Sequence, residues 1–585
     1  MNYFKFFEDF ILKAVEKLAQ DREILIDLAN HSFSVERPKD QKHGDISTNI
    51  AMILAKQFKM KPFNLAELIV PELVSSEYIL EADLAGPGFI NIQISTNFWK
   101  HRIRDILLMN TQFGESKIGA GTKINVEYVS ANPTGPMHVG HGRGAVVGDV
   151  LSKVLEKVGF EVTKEYYVND AGNQVNILAH SLYYRYCELN GKNMGDIPEE
   201  YYQGSYLADL AEELQKRDGT RWLDLAKKEW LPPIQDFAIE SMMQLILKDL
   251  NSLGVFPDVF RSEKEIIRTG MVDAVLSTLT HQNLIYEGTL DPPKGRENQD
   301  WESKTQTLFR STKFGDDIDR PIKKSDGSWT YFASDMAYHL DKYQRGFNRM
   351  INIWGFDHGG YVKRMTSAVS ALTKGEANLD VKLCQLVSLI RDGQQIKMSK
   401  RSGTFLTLSE VIGEVGRDAF RFFMLTRKND APLDFDLTKV LEQSKDNPVY
   451  YVQYSHARGK SVMRKASQVF EESNLVPEVL AKAELDLLTD PLEINLIKIM
   501  SSWPRVLEDT ANSHEPHRIA YFLIDMASAF HNLWTKGAKQ AVQLRFISIE
   551  NEELTMARLA MVQSYLTVVA SGLEVMGIPP INEMR

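Results

Sequence analysis

The chain has 585 residues, of which 43% are hydrophobic and 25% charged, and its net charge is −10, a balance typical of a globular chain of about three to five domains. Its only cysteines are Cys187 and Cys384, which excludes a disulfide framework and a four-thiolate zinc site, so we expect a cytoplasmic protein. No stretch approaches the roughly 18 apolar residues of a membrane span, and the first 20 residues, in which Glu8, Asp9 and Glu16 are mixed with apolar residues at helical spacing, do not resemble a signal peptide.

The first 115 residues are predicted to form a small α+β domain. Apolar residues at helical spacing predict a helix at the start and another over residues 47–58. A glycine turn at residues 83–88 then leads into a predicted strand over residues 89–94.

Residues 116–390 show the alternation of a Rossmann-like α/β domain. A strand over residues 123–129, a helix from residue 141 and a strand over residues 161–168 form a βαβ unit, which predicts a parallel sheet with its ligand at the carboxyl ends of the strands. Charged, helical sequence from about residue 175 to 325 is interpreted as an insertion. Two strands, residues 349–354 and 382–390, with a helix over residues 362–372 between them, resume the sheet.

The last part of the chain is predicted to be helical. Residues 391–445 are interpreted as a polar loop and connecting region, and residues 446–585 as an all-α domain. Its clearest signals are a helix from Pro448 and another that begins near Pro516, both prolines standing at favourable first-turn positions.

Two motifs indicate ATP chemistry. In the first, Asn132-Pro133-Thr134-Gly135-Pro136-Met137-His138-Val139-Gly140-His141 joins a strand to a helix, where backbone N–H groups and the positive end of the helix dipole favour phosphate. Both imidazoles are expected to face the phosphate, and Gly135, Gly140 and Gly142 to permit close approach. The alternative is a glycine-rich turn with two solvated histidines.

The second motif is Lys397-Met398-Ser399-Lys400, in a polar loop bounded by glycines. Its two ammonium groups suit a departing pyrophosphate, and the loop could close over a triphosphate. A solvated basic loop is the alternative, but the presence of both motifs in one chain favours the functional interpretation. His138, His141, Lys397 and Lys400 are therefore the predicted catalytic residues.

These motifs resemble the HIGH and KMSKS elements of class I aminoacyl-tRNA synthetases, with Arg401 at the fifth position of the second. The strings EYVSANPTGP (residues 127–136), YVNDAG (167–172) and DNPVYYVQY (446–454) are similar to arginyl-tRNA synthetases. The resemblance implies ATP with its Mg²⁺, L-arginine and the tRNA for arginine as ligands, an arginyl-adenylate intermediate and an anticodon-binding helical domain. We expect a monomer that binds no metal of its own.

The resemblance also places the residues that bind arginine. A guanidinium is a planar fork that needs several acceptors, and the expected acceptors are Glu263, Tyr331 and Asp335, the last two on one helix face. The α-amino and carboxylate end is assigned to Glu127, Ser130 and Asn132, the last two on a common side of an extended segment. As alternatives, Asp335 could belong to a surface ion pair and Tyr331 to the core.

The expected ATP contacts combine both motifs with the end of a strand near residue 356. Asp357 and His358 stand where a parallel strand would deliver side chains to the ribose, although Asp357 could instead cap a loop. The full set is Pro133, Thr134, Gly135, Pro136, His138, Gly140, His141, Asp357, His358, Lys397, Met398, Ser399 and Lys400.

For tRNA, the helix from Pro448 carries a basic stripe that resembles part of a DALR-type domain. The residues concerned are His456, Arg458, Lys460, Arg464 and Lys465, which could meet phosphates or simply form a solvated helix face. In the N-terminal domain, Phe89 is a candidate for stacking on a base and Asn91 for reading a base edge.

Two rival functions are weaker. A nucleotidyltransferase with an HxGH motif would not explain the lysine motif or the helical domain. A catalytically silent tRNA-binding paralogue would not need the intact His138, His141, Lys397 and Lys400.

Overall fold

A computed structural model describes residues 2–27, 33–38, 40–290, 305–396, 406–539 and 541–584. The chain divides into two compact units. Unit 1 combines Met1–Ile118, Ser444–Ser513 and Arg518–Arg585, and unit 2 consists of Gly119–Gln443 and His514–His517. No helix within the described ranges is long and apolar enough to cross a membrane.

The N-terminal segment of unit 1 is an antiparallel sheet with helices, as predicted. Its helices are α1 (Tyr3–Asp21), α2 (Ile50–Leu54), α3 (Pro62–Val74) and α4 (Thr96–Met109). Its strands are β1 (Val35–Glu36), β2 (Ile46–Thr48), β3 (Ile79–Ala85) and β4 (Phe89–Ile94), in the order β1-β2-β4-β3.

Strand β4 is confirmed at its predicted bounds, but the helix predicted over residues 47–58 is wrong. Its first two residues belong to β2, in which Ile46 and Thr48 are buried and pair with Ile92 and Ile90 of β4. Only five residues, α2, are helical. Cross-strand pairing over a buried face therefore overrides the local helical pattern.

Unit 2 is built on a five-stranded parallel sheet. The first elements are β5 (Lys123–Glu127), α5 (Val139–Lys157), β6 (Glu161–Val168), α6 (Asn173–Leu189), α7 (Tyr206–Asp218), α8 (Lys227–Leu253), β7 (Val259–Ser262), α9 (Glu263–Arg268), α10 (Met271–His281), β8 (Ile285–Gly288), β9 (Gln306–Phe309) and β10 (Arg320–Lys323). The others are α11 (Tyr331–Gln344), β11 (Arg349–Gly355), α12 (Val362–Leu372), β12 (Asn378–Cys384), β13 (Val387–Arg391), β14 (Gln394–Gln395), α13 (Leu408–Val415), α14 (Arg417–Met424), β15 (Leu433–Asp436) and α15 (Leu437–Leu441). The sheet order β12-β11-β5-β6-β7 confirms the predicted βαβ unit and Rossmann-like fold.

Two features of unit 2 differ from the sequence interpretation. Strand β7 lies within the segment interpreted as an insertion, yet it pairs with β6 at the edge of the central sheet. The single strand predicted over residues 382–390 is wrong, because β12 ends the central sheet at Cys384 whereas β13 pairs with β14 and β15 in another sheet.

The C-terminal segment is helical, as predicted. Its helices are α16 (Pro448–Ala466), α17 (Pro477–Leu480), α18 (Pro491–Ser501), α19 (Trp503–Ser513), α20 (His517–Lys539) and α21 (Glu552–Val575). It packs with the N-terminal segment inside unit 1: the Asn2 amide donates to Glu508 at 2.7 Å, and Lys100 pairs with Asp486 at 3.1 Å.

Candidate active site

The two histidines of the first motif form one structure at the beginning of α5. The imidazoles of His138 and His141 stack, with ring centroids 3.8 Å apart and planes 10° from parallel. Each backbone N–H donates to the other residue's Nδ1 at 3.3 Å, so each neutral imidazole carries its proton on Nε2. The pair caps the positive end of a helix of 19 residues, which favours an anion.

Glycines around this turn have different roles from one another. A Cβ on Gly140 would lie 3.1 Å from the His138 ring, so this glycine leaves room for the stacked pair. A Cβ on Gly142 would lie 2.7 Å from Leu408 and Phe420. The prediction that Gly142 admits a ligand is therefore wrong, because this glycine packs α5 against α13 and α14.

A cavity of about 450 Å³ lies at the carboxyl ends of β5, β6 and β11. It brings together all six residues predicted to bind arginine: Glu127, Ser130, Asn132, Glu263, Tyr331 and Asp335. His358 of the predicted ATP set also lines it, whereas residues 133–138 lie in the turn that follows Asn132, and Gly140 and His141 lie in the first turn of α5. This position is where open parallel sheets bind their ligands.

Two carboxyl groups give the cavity its acidic character. Withdrawal from water raises the pKa of Asp335 to about 7; the hydrogen bond that its Oδ2 accepts from the Tyr361 hydroxyl, at 2.6 Å, opposes this rise, while nearby Glu263 and Glu127 add to it. Burial also raises the pKa of Glu263, and Asp170 adds to the effect. A cation placed between Asp335 and Glu263 would favour the ionised form of both carboxyl groups and so lower both pKa values.

Tyr331 is not a core residue and, among the described residues, Asp335 does not belong to a surface ion pair, so neither alternative interpretation of these two α11 residues holds. Tyr331 is 66% exposed, so it is no core aromatic, and Asp335 follows one turn later on the same helix. Within the described ranges the Asp335 carboxylate accepts a hydrogen bond from the Tyr361 hydroxyl, and it forms no ion pair with a surface cation.

Glu127 differs from the other two acids because a lysine already neutralises it. The buried Lys342 ammonium lies 2.7 Å from Glu127 Oε2 and also donates to Asn352 Oδ1 at 3.1 Å. The Ser130 hydroxyl donates to the other carboxylate oxygen at 3.0 Å. Sequence reasoning missed Lys342, although its position two turns after Asp335 on α11 places both on one face.

The segment after β5 turns rather than continuing as a strand. Val129 and Ser130 have φ values of 72° and 37°, so the extended alternation predicted for Ser130 and Asn132 is wrong. Asn132 reaches the cavity through other contacts: it accepts from the Asn169 amide at 2.7 Å and donates to Gln174 at 3.0 Å. The next turn is covered by Tyr206, whose hydroxyl donates to the Thr134 carbonyl at 2.7 Å.

The remaining ATP candidates are placed as follows. Asp357 and His358 lie in a 3₁₀ turn directly after β11, both exposed, with the Asp357 carboxylate 3.5 Å from His358 Nε2. Asp357 is not among the residues that line the cavity. Lys397, Met398, Ser399 and Lys400 lie outside the described residues.

The tRNA candidates lie in unit 1. Phe89 is 38% exposed and Asn91 is half-buried on the same face of β4. Along α16, Arg464 and Lys465 are exposed and Lys460 is half-buried, while the Arg458 guanidinium lies 4.3 Å from the Tyr454 ring centroid. His456 does not belong to this stripe, because it is buried and donates to the Ile581 carbonyl at 2.8 Å.

Three family models match successive parts of the chain. They are the arginyl-tRNA synthetase N-terminal domain over residues 5–94, the class I (R) tRNA synthetase catalytic domain over residues 102–458, and the DALR anticodon binding domain over residues 452–584. The chain belongs to the arginyl-tRNA synthetase family. It is accordingly an aminoacyl-tRNA synthetase, a ligase that uses ATP to attach arginine to tRNA.

Individual relatives agree with the family assignment. The chain is 51% identical to the arginine–tRNA ligase of Parvibaculum lavamentivorans and 50% identical to that of Rhodospirillum rubrum. Each alignment covers 100% of this chain and 100% of the relative. A crystal structure of a putative arginyl-tRNA synthetase from Campylobacter jejuni, 31% identical, covers 84% of this chain and 100% of its own, with a TM-score of 0.72. The Thermus thermophilus arginyl-tRNA synthetase shares the fold over 99% of this chain and 100% of its own (TM-score 0.73, 20% identity).

Proposed function

We propose that the cavity binds L-arginine beside an ATP held at the start of α5, so that an enzyme-bound arginyl-adenylate forms and arginine then passes to its tRNA, with release of pyrophosphate and AMP. One observation carries this assignment. All six side chains expected to bind arginine line a single cavity, and one of them, Asn132, is followed directly along the chain by the turn that leads to the stacked His138–His141 pair.

The two ends of arginine are recognised by different chemistry. The guanidinium lies between Asp335 and Glu263, whose carboxylates accept its N–H groups in the planar arrangement that an ammonium cannot match. Tyr331, at the exposed start of α11, covers this group. The α-ammonium lies near Glu127 and Ser130, and Asn132 orients the carboxylate that attacks the α-phosphate.

The nucleotide lies against the turn from Pro133 to His138 and the first turn of α5. The backbone of Pro133, Thr134, Gly135, Pro136 and Gly140 lies against ATP, while His138 and His141 donate to charge that develops on the α-phosphate. Asp357 and His358 contact the ribose. Lys397, Met398, Ser399 and Lys400 bind the pyrophosphate side, and Mg²⁺ enters on the ATP phosphates.

Residues of the N-terminal domain and of the helical C-terminal domain bind the tRNA. Phe89 and Asn91 contact it from the N-terminal domain, and Arg458, Lys460, Arg464 and Lys465 meet its phosphates from α16. We propose domain boundaries of 1–115, 116–390 with the insertion near 175–325, 391–445 and 446–585. The enzyme acts as a cytoplasmic monomer.

A charging assay tests the proposal. Purified enzyme, ATP, Mg²⁺ and total tRNA are incubated with each of the twenty amino acids in turn, and acid-stable aminoacyl-tRNA is measured. Arginine should be charged in clear preference to the others, and preferential charging of another amino acid would reject the arginine assignment. Absence of any adenylate in an active-site titration would instead indicate a silent paralogue.

Arginine binding should weaken as the pH falls through about 7. The raised pKa of Asp335 is about 7, and only the ionised carboxylate attracts a guanidinium, so the protonated fraction grows below that value. Between pH 8 and pH 6 the dissociation constant for arginine should rise about tenfold. Equilibrium dialysis with labelled arginine measures it.

The Tyr361→Phe variant tests whether ionisation of Asp335 causes this pH dependence. The Tyr361 hydroxyl holds the pKa of Asp335 down, so its removal should move the midpoint of the pH profile upward. A flat profile, or a midpoint that does not move in this variant, would contradict the assignment to Asp335.

A further inference from the structure

Tyr167 places a hydroxyl without a partner inside the arginine cavity. It lies on β6, one residue before the strand ends, is only 5% exposed, and lines the cavity. Among the described residues, no hydrogen-bond partner is found for its buried hydroxyl. An unsatisfied buried hydroxyl is unfavourable, so a native protein that keeps one at a binding site indicates a partner that arrives with the ligand.

The surroundings of this hydroxyl are acidic. Burial raises the pKa of Tyr167, and Asp335, Glu263, Glu127 and Asp170 raise it further in that order. The phenol therefore stays neutral at every physiological pH. Tyr167 lines the same cavity as Asp335 and Glu263, the two carboxylates that we assign to the guanidinium, which favours that end of arginine as its partner.

The hydroxyl is also held in position. The Tyr167 ring packs against Tyr338, with centroids 4.4 Å apart, and belongs to the same buried cluster as Phe332. Its backbone N–H donates to Ser130 Oγ at 3.1 Å, and Ser130 in turn donates to Glu127. A side chain fixed at both ends cannot swing its hydroxyl to solvent, so this group is preorganised for a ligand.

The guanidinium has five N–H donors that point in fixed directions around its plane, and no acceptor. Two carboxylates carry enough lone pairs for these donors, but acceptors must also stand on the right sides of the group, and one oxygen of Asp335 already accepts from Tyr361. We propose that the Tyr167 hydroxyl oxygen accepts a hydrogen bond from the guanidinium of arginine and is a further specificity-determining residue. This inference rests on the arginine cavity of the proposed function.

The Tyr167→Phe variant removes the hydroxyl and keeps the ring. The KM for arginine should rise about tenfold, the value of one hydrogen bond to a charged group, while kcat and the KM for ATP change less than about twofold. Inhibition by agmatine, which keeps the guanidinium but lacks the carboxylate, should weaken by the same factor. An unchanged KM for arginine, or unchanged agmatine inhibition, overturns the proposal.

Thermal unfolding separates this role from a structural one. Without arginine, Tyr167→Phe should unfold at the same temperature as the parent or higher, because no hydrogen bond is lost. The control is Tyr186→Phe in the same unit: Tyr186 is also buried, but its hydroxyl donates to the Gly219 carbonyl at 2.6 Å, outside the cavity. That variant should unfold at a lower temperature and keep the KM for arginine. A lowered midpoint for Tyr167→Phe with an unchanged KM would make the hydroxyl structural.

A third variant distinguishes failure of this inference from failure of the proposed function. If Asp335→Asn raises the KM for arginine but Tyr167→Phe does not, only the role of Tyr167 is wrong. If neither variant changes it, the arginine cavity itself is misplaced and the proposal for Tyr167 falls with it.

Discussion

Replacing Asp335 with asparagine is expected to lower kcat/KM for arginine by about 100- to 1,000-fold, because it removes the charge that faces a desolvated guanidinium. The amide keeps the size of the side chain and can still accept the hydrogen bond from Tyr361, which the carboxylate accepts at 2.6 Å. The loss therefore reports charge and acceptor geometry rather than a cavity or a collapsed helix. Aminoacylation kinetics over a range of arginine concentrations measure it.

Asp273→Asn provides the matched control. Asp273 is exposed in the first turn of α10, in the same unit, and lies outside the cavity lining. This variant should retain the parental kinetics. Unchanged discrimination between arginine and lysine in Asp335→Asn would show that the carboxylate does not read the guanidinium.

The second large effect is expected at His138. His138→Ala should lower kcat by about 100- to 1,000-fold with a smaller rise in the KM for ATP, because the imidazole is assigned to charge that develops only in the transition state. The same change removes the N-cap acceptor of α5, whose Nδ1 accepts from the His141 N–H. A cap is worth about 1 kcal/mol, so the alanine variant should also unfold at a lower temperature.

His138→Asn separates the two consequences. Asparagine is a good N-cap residue, so this variant should recover thermal stability while kcat stays low. If kcat recovers along with stability, His138 acts only as a structural N-cap. If the KM for ATP rises without a fall in kcat, the imidazole contributes to ATP binding in the ground state rather than to the transition state.

Much of the sheet could be predicted because its strands have strong local signals. The strand that became β6 and the helix that became α12 are found at their predicted bounds. The errors arise where the local sequence pattern does not determine which strands pair with one another. Residues 382–390 form one apolar-rich run, yet the chain changes sheets between Cys384 and Val387; β7 is only four residues long and has no distinctive pattern of its own.

The residues of the site, like the strands of the sheet, could be predicted only in part. Family resemblance located the six cavity residues, but it assigned no role to Lys342 or Tyr361, nor to Tyr167, although Tyr167 begins the YVNDAG string. Their importance comes from contacts between distant parts of the chain: Lys342 and Glu127 are 215 positions apart, and Tyr361 is 26 positions from Asp335. Positive φ at Val129 and Ser130 had no glycine to mark it.

The packing of the two ends of the chain within unit 1 has a consequence for biosynthesis. Asn2 bonds to Glu508, 506 positions later, and Ser564 donates to the Ile103 carbonyl, 461 positions earlier. The N-terminal residues of these pairs therefore leave the ribosome several hundred residues before their partners, and contacts of such long range form late. Truncation of the chain before residue 508 should leave the N-terminal segment exposed to chaperones and proteases, because its C-terminal partners would be missing.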